Sequence, residues 1–429
     1  MKWCELFRIP PALRHRKFFL LWVGLLVSLA GSQMQAWAIY WHLRTLSDQP
    51  IVVSGVGLAR FIPIILFALI GGLVADTFNR RRILFITQSL VMGTAILLGL
   101  LTYSDRVSIW WIYAISAVNG IAISFDSPSR QSLIANIVPR KDLQSAFGLQ
   151  SIASNTGAII GPALSGLVIA TLGQEWTYWI NAITFLAVLL ALILMGKVER
   201  ENAVPEVRQQ PSPFKKLDFS GIPVGIRFML KQPIILSSMI LDFFATFFSS
   251  ANSLLPFVAR DILHVGAIGY GWLSAAQSVG SVTVAIYLAQ KVNLRNQGKL
   301  LISGVTVFGI ATIIFGLSRS FPLTFAALVL IGAGDAISTI LRNTIRQLQT
   351  PDELRGRMIS INQLFFAGGP RLGEVEAGAV AQAFGTPIAI ITGGIGCLIS
   401  VAVIALKWPQ LRKYNGDEPM QAALDNGVD

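Results

Sequence analysis

The sequence predicts an all-α polytopic membrane protein, with twelve transmembrane helices in two pseudo-symmetric six-helix halves and both termini cytoplasmic. Three observations carry that prediction. The chain has 429 residues, 53% hydrophobic and only 13% charged, about half the charge share of a soluble domain. A helix needs about 20 apolar residues to cross a bilayer, so roughly twelve crossings with short loops fill this length. Of 34 Lys and Arg, only Arg44, Arg106, Arg260 and Arg319 fall in outside loops, and Arg60, Arg130 and Arg371 within or near apolar segments; the rest lie on the cytoplasmic side of the threading, where such residues are retained. Finally, the halves repeat at a constant offset of 212 residues: Gly120, Arg130, Pro139, Gly157, Gly161, Gly166 and Gly173 meet Gly332, Arg342, Pro351, Gly369, Gly373, Gly378 and Gly385. All but Arg are Gly or Pro, which answer to backbone geometry.

The elements follow in order. Residues 1–17 form a cytoplasmic tail with Pro10 and Pro11, and a full-length span follows rather than a short cleavable core, so no removable signal peptide is expected. Helix one, about 18–43, carries Gln33, Gln35 and Trp37; helix two, about 52–75, carries Arg60 and Pro63. Helix three spans about 83–103, and Asp105–Arg106 turn outside. Helix four opens with Trp110 and Trp111, rings suited to an interface, and runs through Gly120 to Asp126 and Arg130. Helix five spans about 143–171, and helix six opens at Trp176 and Trp179 to close the first half at 195. Residues 196–233 are a polar, Pro-bearing cytoplasmic linker whose end is moderately amphipathic and suits the membrane surface. Helices at about 234–258, 268–290, 299–317, 321–348, 354–383 and 386–406 make the second half, 234–407. The polar tail 408–429 is expected to be poorly ordered.

Composition excludes several classes. A net charge of +12 would suggest nucleic acid in a soluble protein; placed as it is here, it reads as topology and contact with anionic lipid. Cys4 and Cys397 are too few and too far apart for a disulfide framework or a metal cage, and His15, His42 and His264 sit at helix margins. GxxxxGK[ST], GxSxG and HExxH are all absent, so neither an enzyme nor ATP-driven transport by this chain alone is expected. No cofactor is called for beyond a proton gradient.

The stretch GGLVADTFNRRRIL, residues 71–84, joins helices two and three in a tight basic hairpin. It resembles the corresponding loop of the major facilitator superfamily, Gly-x-Leu-Ala-Asp-Arg-x-Gly-Arg-Lys, matching at Gly72, Ala75, Asp76, Arg80 and Arg81. Val74, Thr77 and Asn79 depart from it; Asn79 stands in place of the usual Gly, and Asn tolerates the left-handed conformation that Gly supplies. In helix five, Gly157, Gly161, Pro162 and Gly166 resemble the Gly-x-x-x-Gly-Pro signature of exporters with proton antiport; small residues four apart let helices approach closely. FDSPSRQSLIANIVPRKDLQSAFGLQS (125–151), GPALSG, PDELRGRM and GEVEAG are similar to the enterobactin-exporter-like branch of drug and siderophore efflux proteins. The resemblance implies export of a small organic molecule across the bacterial cytoplasmic membrane. It implies substrate binding between two halves near the bilayer midplane, in a cavity that a single chain, a monomer, completes.

A charge at mid-membrane is costly and usually faces a cavity or a partner. Asp126 and Arg130, one turn apart, form either a self-neutralising pair or, with Asp76 and Arg80, a cytoplasmic gate. The resemblance places Asp76 also at the start of helix eleven near Pro351, where the positive helix end favours a carboxylate. Asp242 and Asp335 have no same-helix cation within a turn, and Glu376 lies about 200° around helix eleven from Glu374, so Arg371 pairs with Glu374 rather than with it. A carboxylate without a cation in a low-dielectric site can load and release a proton near neutral pH, so Glu376 and Asp335, then Asp242, are the expected proton carriers. The ordinary alternative for each is a structural hydrogen bond between helices. Arg60 either attracts an anionic substrate or pairs with Glu374; Gln33, Gln35 and Trp37 are expected to line the cavity with Arg371 and Glu374. A lipid or lysophospholipid transporter on the same fold is the first competing function, and a non-transporting sensor or scaffold the second.

Overall fold

The computed structural model of the chain describes residues 10–196, 227–291 and 294–416. All regular structure among them is helical: α1 Arg16–Leu46, α2 Pro50–Thr77, α3 Arg80–Tyr103, α4 Ile109–Ile137, α5 Leu143–Thr171, α6 Gln174–Leu194, α7 Pro233–Ser249, α8 Gly266–Ala289, α9 Gln297–Leu317, α10 Phe321–Leu348, α11 Asp352–Phe384 and α12 Thr386–Lys407. Among the described residues, eleven helices are long and apolar enough to cross a membrane. The exception is α11, which is long enough at 33 residues but carries Arg371, Glu374 and Glu376 within two turns. Apolar side chains such as Leu66, Ile86, Ile183 and Leu406 stand exposed. A soluble protein would have to cover such a surface; here it meets lipid. The amphipathic stretch anticipated at the end of the linker falls largely outside the described residues.

The chain forms two compact units. One contains α1, α3 to α6 and α2 from Ala59; the other contains α7 to α12 with Ser47–Leu58. In the first, α1 is central. Phe18, Leu21 and Leu25 pack with Leu133 and Ile134 of α4 and Val138 just after it, Ala146 and Leu149 of α5, and Val188 and Leu192 of α6. Trp22 Nε1 donates to the Leu149 carbonyl at 2.8 Å, and His15 lies 2.8 Å from Asp142, fastening the entry of α1 to the α4–α5 connection.

The glycine repeat has a physical basis in both units. A Cβ on Gly157 would press on the backbone of Leu29 and Ala30, and one on Gly161 would lie 2.7 Å from the Ala30 carbonyl. At the matching places in the second unit, a Cβ on Gly369 would lie 2.6 Å from Thr246 Oγ1, and one on Gly373 would overlap the Phe247 carbonyl. So α5 seats on α1 as α11 seats on α7. Gly120 and Gly332 make the same kind of approach, to the carbonyls of Arg60 and Gln277. Gly173 and Gly385 end α5 and α11 at φ 103 and φ 91, conformations that an L side chain resists.

Two expectations are corrected. Helix seven does not run unbroken to 258: α7 stops at Ser249, and a 3-10 turn Asn252–Leu254, a helical turn Leu255–Phe257 and a π segment Val258–Ile262 follow. Pro256 stands in the first turn of the Leu255–Phe257 segment, the part of a helix where a missing N–H is tolerated, so the chain restarts there rather than continuing α7. The tail, expected to be poorly ordered, begins as a helical turn, Pro409–Lys413. Leu411 and Tyr414 are buried, the Tyr414 carbonyl accepts from Gly298 N at 2.9 Å, and Gln349 Nε2 donates to the Tyr414 hydroxyl at 3.4 Å. Leu411 and Tyr414 dock the part of the tail that is described, residues 408–416.

Gly161→Val and Gly373→Val should each destabilise the protein by about 1–3 kcal/mol through overpacking, read as a lower midpoint of thermal unfolding in detergent. Gly148, where a Cβ meets nothing within 4 Å among the described residues, should accept Ala without loss.

Candidate functional site

The basic hairpin between α2 and α3 is built by capping. Asn79 Oδ1 accepts from Arg81 N at 3.0 Å and Arg82 N at 3.3 Å, so Asn79 is the N-cap of α3. Its backbone is extended, φ −69 and ψ 112, not the left-handed form anticipated; a cap needs an acceptor oxygen, which Gly lacks. Arg81 reaches across to the end of α6, where Nε donates to the Leu192 carbonyl at 2.6 Å. A cation there satisfies a carbonyl left over at the helix end and suits its negative pole. Arg80 is half-buried at the first position of α3. The Asp76 side chain lies outside the described residues. A Cβ on Gly72 meets nothing within 4 Å among the described residues, whereas one on its neighbour Gly71 would overlap the Ser124 carbonyl of α4. Gly71, which the motif match did not include, is therefore one of the positions where α2 and α4 touch, as Gly120 is against Arg60.

Asp126 is buried between α3 and α4. It binds Arg130 at 2.5 Å on its own helix and accepts from Gln88 Nε2 at 2.6 Å and Thr87 Oγ1 at 3.3 Å. The self-neutralising pair is thus formed, reinforced from α3 by groups that sequence reasoning did not single out. Along α1, Gln35 is buried and accepts from Asn181 Nδ2 of α6 at 2.6 Å, which ties it to the seam between those helices. Gln33 is half-buried, its Cβ near Gly161. Trp37 is half-buried with its ring 5.9 Å from that of Tyr40. Arg60, also half-buried, lies one turn beyond Gly57 on α2.

In the second unit the acids divide. Asp242 of α7, 2% exposed, forms an ion pair with Arg342 of α10, itself 5% exposed. Arg342 Nε also donates to Ser338 Oγ at 3.0 Å, and Nη2 to Thr339 Oγ1 at 3.0 Å. Asp335 sits two turns before Arg342 on α10 and lines a narrow recess with Asp242, Thr246, Val305, Phe308 and Ser338. Glu374 is buried and takes Arg371 Nη1 on both oxygens, at 3.1 and 3.4 Å; its carboxylate lies where a Cβ on Gly57 would be. Glu376 is half-buried on α11 and is not among the residues that line the recess.

The repeat explains why Arg342 has this partner. Asp126 and Ser338 are equivalent at the 212-residue offset, as are Arg130 and Arg342. In the first half the arginine finds its acid one turn back. In the second half that position is a serine, so the balancing carboxylate comes from another helix, Asp242. The offset marked Arg342 in advance; its partner, a hundred residues earlier, could be found only in three dimensions.

Residues 10–424 match the family described as transmembrane secretion effector, of the major facilitator superfamily. The chain is 25% identical over 397 residues to the multidrug efflux pump Tap of Mycolicibacterium fortuitum, covering 90% of this chain and 94% of that protein. It is 25% identical over 359 residues to the enterobactin exporter EntS of Escherichia coli (strain SMS-3-5 / SECEC), covering 83% of each. The fold matches that of a bacterial homolog of the human lysosomal transporter Spinster, with a TM-score of 0.72, 15% identity, and coverage of 94% of this chain and 99% of the other. The family and these relatives are membrane transporters, not enzymes.

Gly71→Ala should lower the thermal midpoint, by an overpacking cost of about 1–3 kcal/mol, while Gly72→Ala leaves it equal or higher. The reverse ranking would remove the close approach to Ser124 as the constraint on this loop.

Proposed function

From the premise that the chain belongs to the transmembrane secretion effector family of the major facilitator superfamily, we propose that it is a secondary active exporter of a small amphiphilic or anionic organic molecule, driven by exchange for protons. The exported class follows the relatives, a multidrug efflux pump and an enterobactin exporter. In this reading the chain works as a monomer in the bacterial cytoplasmic membrane, with twelve crossings, α11 among them, and both termini in the cytoplasm. The two halves rock to expose a midplane site first to one side and then to the other. Membrane lipids are its surroundings and protons its energy source.

The observation that carries the proton part is the recess in the second unit. Two carboxylates, Asp242 and Asp335, line it together with apolar Val305 and Phe308. Charges in such a place are costly unless matched, so a proton entering or leaving changes the energy of the site. That is the property a coupled exchanger needs. Glu376 is the second candidate carrier, half-buried on α11. For substrate, Arg60 and Arg371 supply positive charge to an anionic group, Gln33 supplies a hydrogen-bonding amide and Trp37 an aromatic face, with Glu374 holding Arg371 in place. Gating is assigned to the hairpin with Gly72, Asp76, Arg80 and Arg81, and to the Asp126–Arg130 pair.

Purified protein in liposomes tests this. An imposed proton gradient should drive ethidium flux in the wild type, and Asp335→Asn or Glu376→Gln should abolish the gradient-driven part, by about tenfold or more, the scale on which an essential proton-transfer group is felt. Wild-type flux indifferent to the gradient would reject proton exchange.

A further inference from the structure

Asp242, Arg342 and Asp335 form a small ionic system inside the second unit. Arg342 pairs directly with Asp242 across the α7–α10 contact. Asp335 lies seven residues before Arg342, about 10 Å along the helix at its ordinary rise and on nearly the same face, with Ser338 between them holding Arg342 Nε at 3.0 Å. The elements packed around the recess add no further charge to its lining: α7 presents Ala245 and Thr246, α9 presents Val305 and Phe308, and α10 presents Gly334 and Ser338. Arg346, one turn beyond Arg342, is half-buried and directed to Asn343 Oδ1 at 2.5 Å. With both carboxylates ionised these three groups leave one negative charge, which Arg346 offsets in part because its charge also acts on Asp242; with one proton they leave none.

Resting on the proton-exchange reading above, we propose that Arg342 is the positioning residue of a one-proton site: it holds Asp242 as a carboxylate, so that Asp335 is the group that takes and gives up the proton. The proton enters from the acidic side, forms an O–H bond on Asp335, and leaves that oxygen toward the other side when the site is exposed there. Removing the arginine would set two carboxylates against each other with only the more distant Arg346 to offset them. The site would then keep its proton too tightly. Removing Asp242 alone would leave Asp335 as the carboxylate nearest to Arg342, and the site would lose its proton too easily.

These opposite signs make the test. Ethidium–proton exchange in liposomes is measured as a function of external pH for the wild type, Arg342→Gln, Asp242→Asn, Asp242→Asn/Arg342→Gln and Arg342→Lys. The midpoint of the profile should rise by about one pH unit or more in Arg342→Gln and fall by a similar amount in Asp242→Asn, the scale of a neighbouring charge. It should return to near the wild-type value in the double variant, whatever its rate, and stay there in Arg342→Lys. A merely structural arginine would lower the rate at every pH without moving the midpoint, and that result overturns the proposal. If Arg342→Gln does not yield folded protein, the fall in Asp242→Asn and the return in the double variant decide the matter. Wild-type exchange that ignores the gradient rejects proton coupling itself. A proton-coupled wild type with one midpoint throughout rejects only the role of Arg342.

Discussion

Helices in hydrocarbon gain little by hiding apolar surface from one another, because lipid tails are as apolar as leucine. They hold together where their backbones can come into van der Waals reach, and that constraint shapes both halves of this chain. Gly157 and Gly161 bring α5 onto α1, while Gly369 and Gly373 bring α11 onto α7. Gly120 and Gly332 do the same for the carbonyls of Arg60 and Gln277. Larger residues at these places would push helices apart and undo the seams along which the polar side chains meet.

Close packing also sets the terms for charge. Once α3 and α4 are seated, Gln88 and Thr87 can reach Asp126, and that carboxylate has partners on two helices. In the second unit Arg342 finds Asp242 only because α10 and α7 lie side by side. A buried ion pair of this kind adds little stability over an apolar pair, but losing one partner leaves an uncompensated charge. Pairs held on such terms would suit the proposed proton exchange, in which a buried site changes its protonation.

The duplicated halves share a scaffold and differ in how they spend it. Arg130 and Arg342 occupy equivalent positions, yet one is balanced within its own helix and the other from α7. The exchange of Asp126 for Ser338 is the local cause. It frees the second-half arginine to join two helices, while Asp335, two turns back on α10, lines the recess with Asp242. The first half keeps its charge close to home, and the second carries the acids that proton exchange would use.

Much of this was legible in the sequence, for reasons tied to particular residues. Apolar length marks helices because a bilayer imposes it, and the Gly and Pro repeat marks equivalent seams because backbone geometry tolerates no substitutes. Arg371 with Glu374, and Asp126 with Arg130, were readable because residues three or four apart share a helix face. The break after Ser249, the capping role of Asn79, the close contact at Gly71 rather than Gly72, and the docking of Tyr414 were not. Each depends on which atom of a distant segment arrives at that point. The sequence by itself determined the helical segments, their order, the internal repeat and the family, since these follow from local composition and spacing. Only the tertiary structure decided that Gln35 serves Asn181, that Arg81 caps α6 and that Arg342 serves Asp242, because a side chain meets a partner on another helix only after the helices have packed.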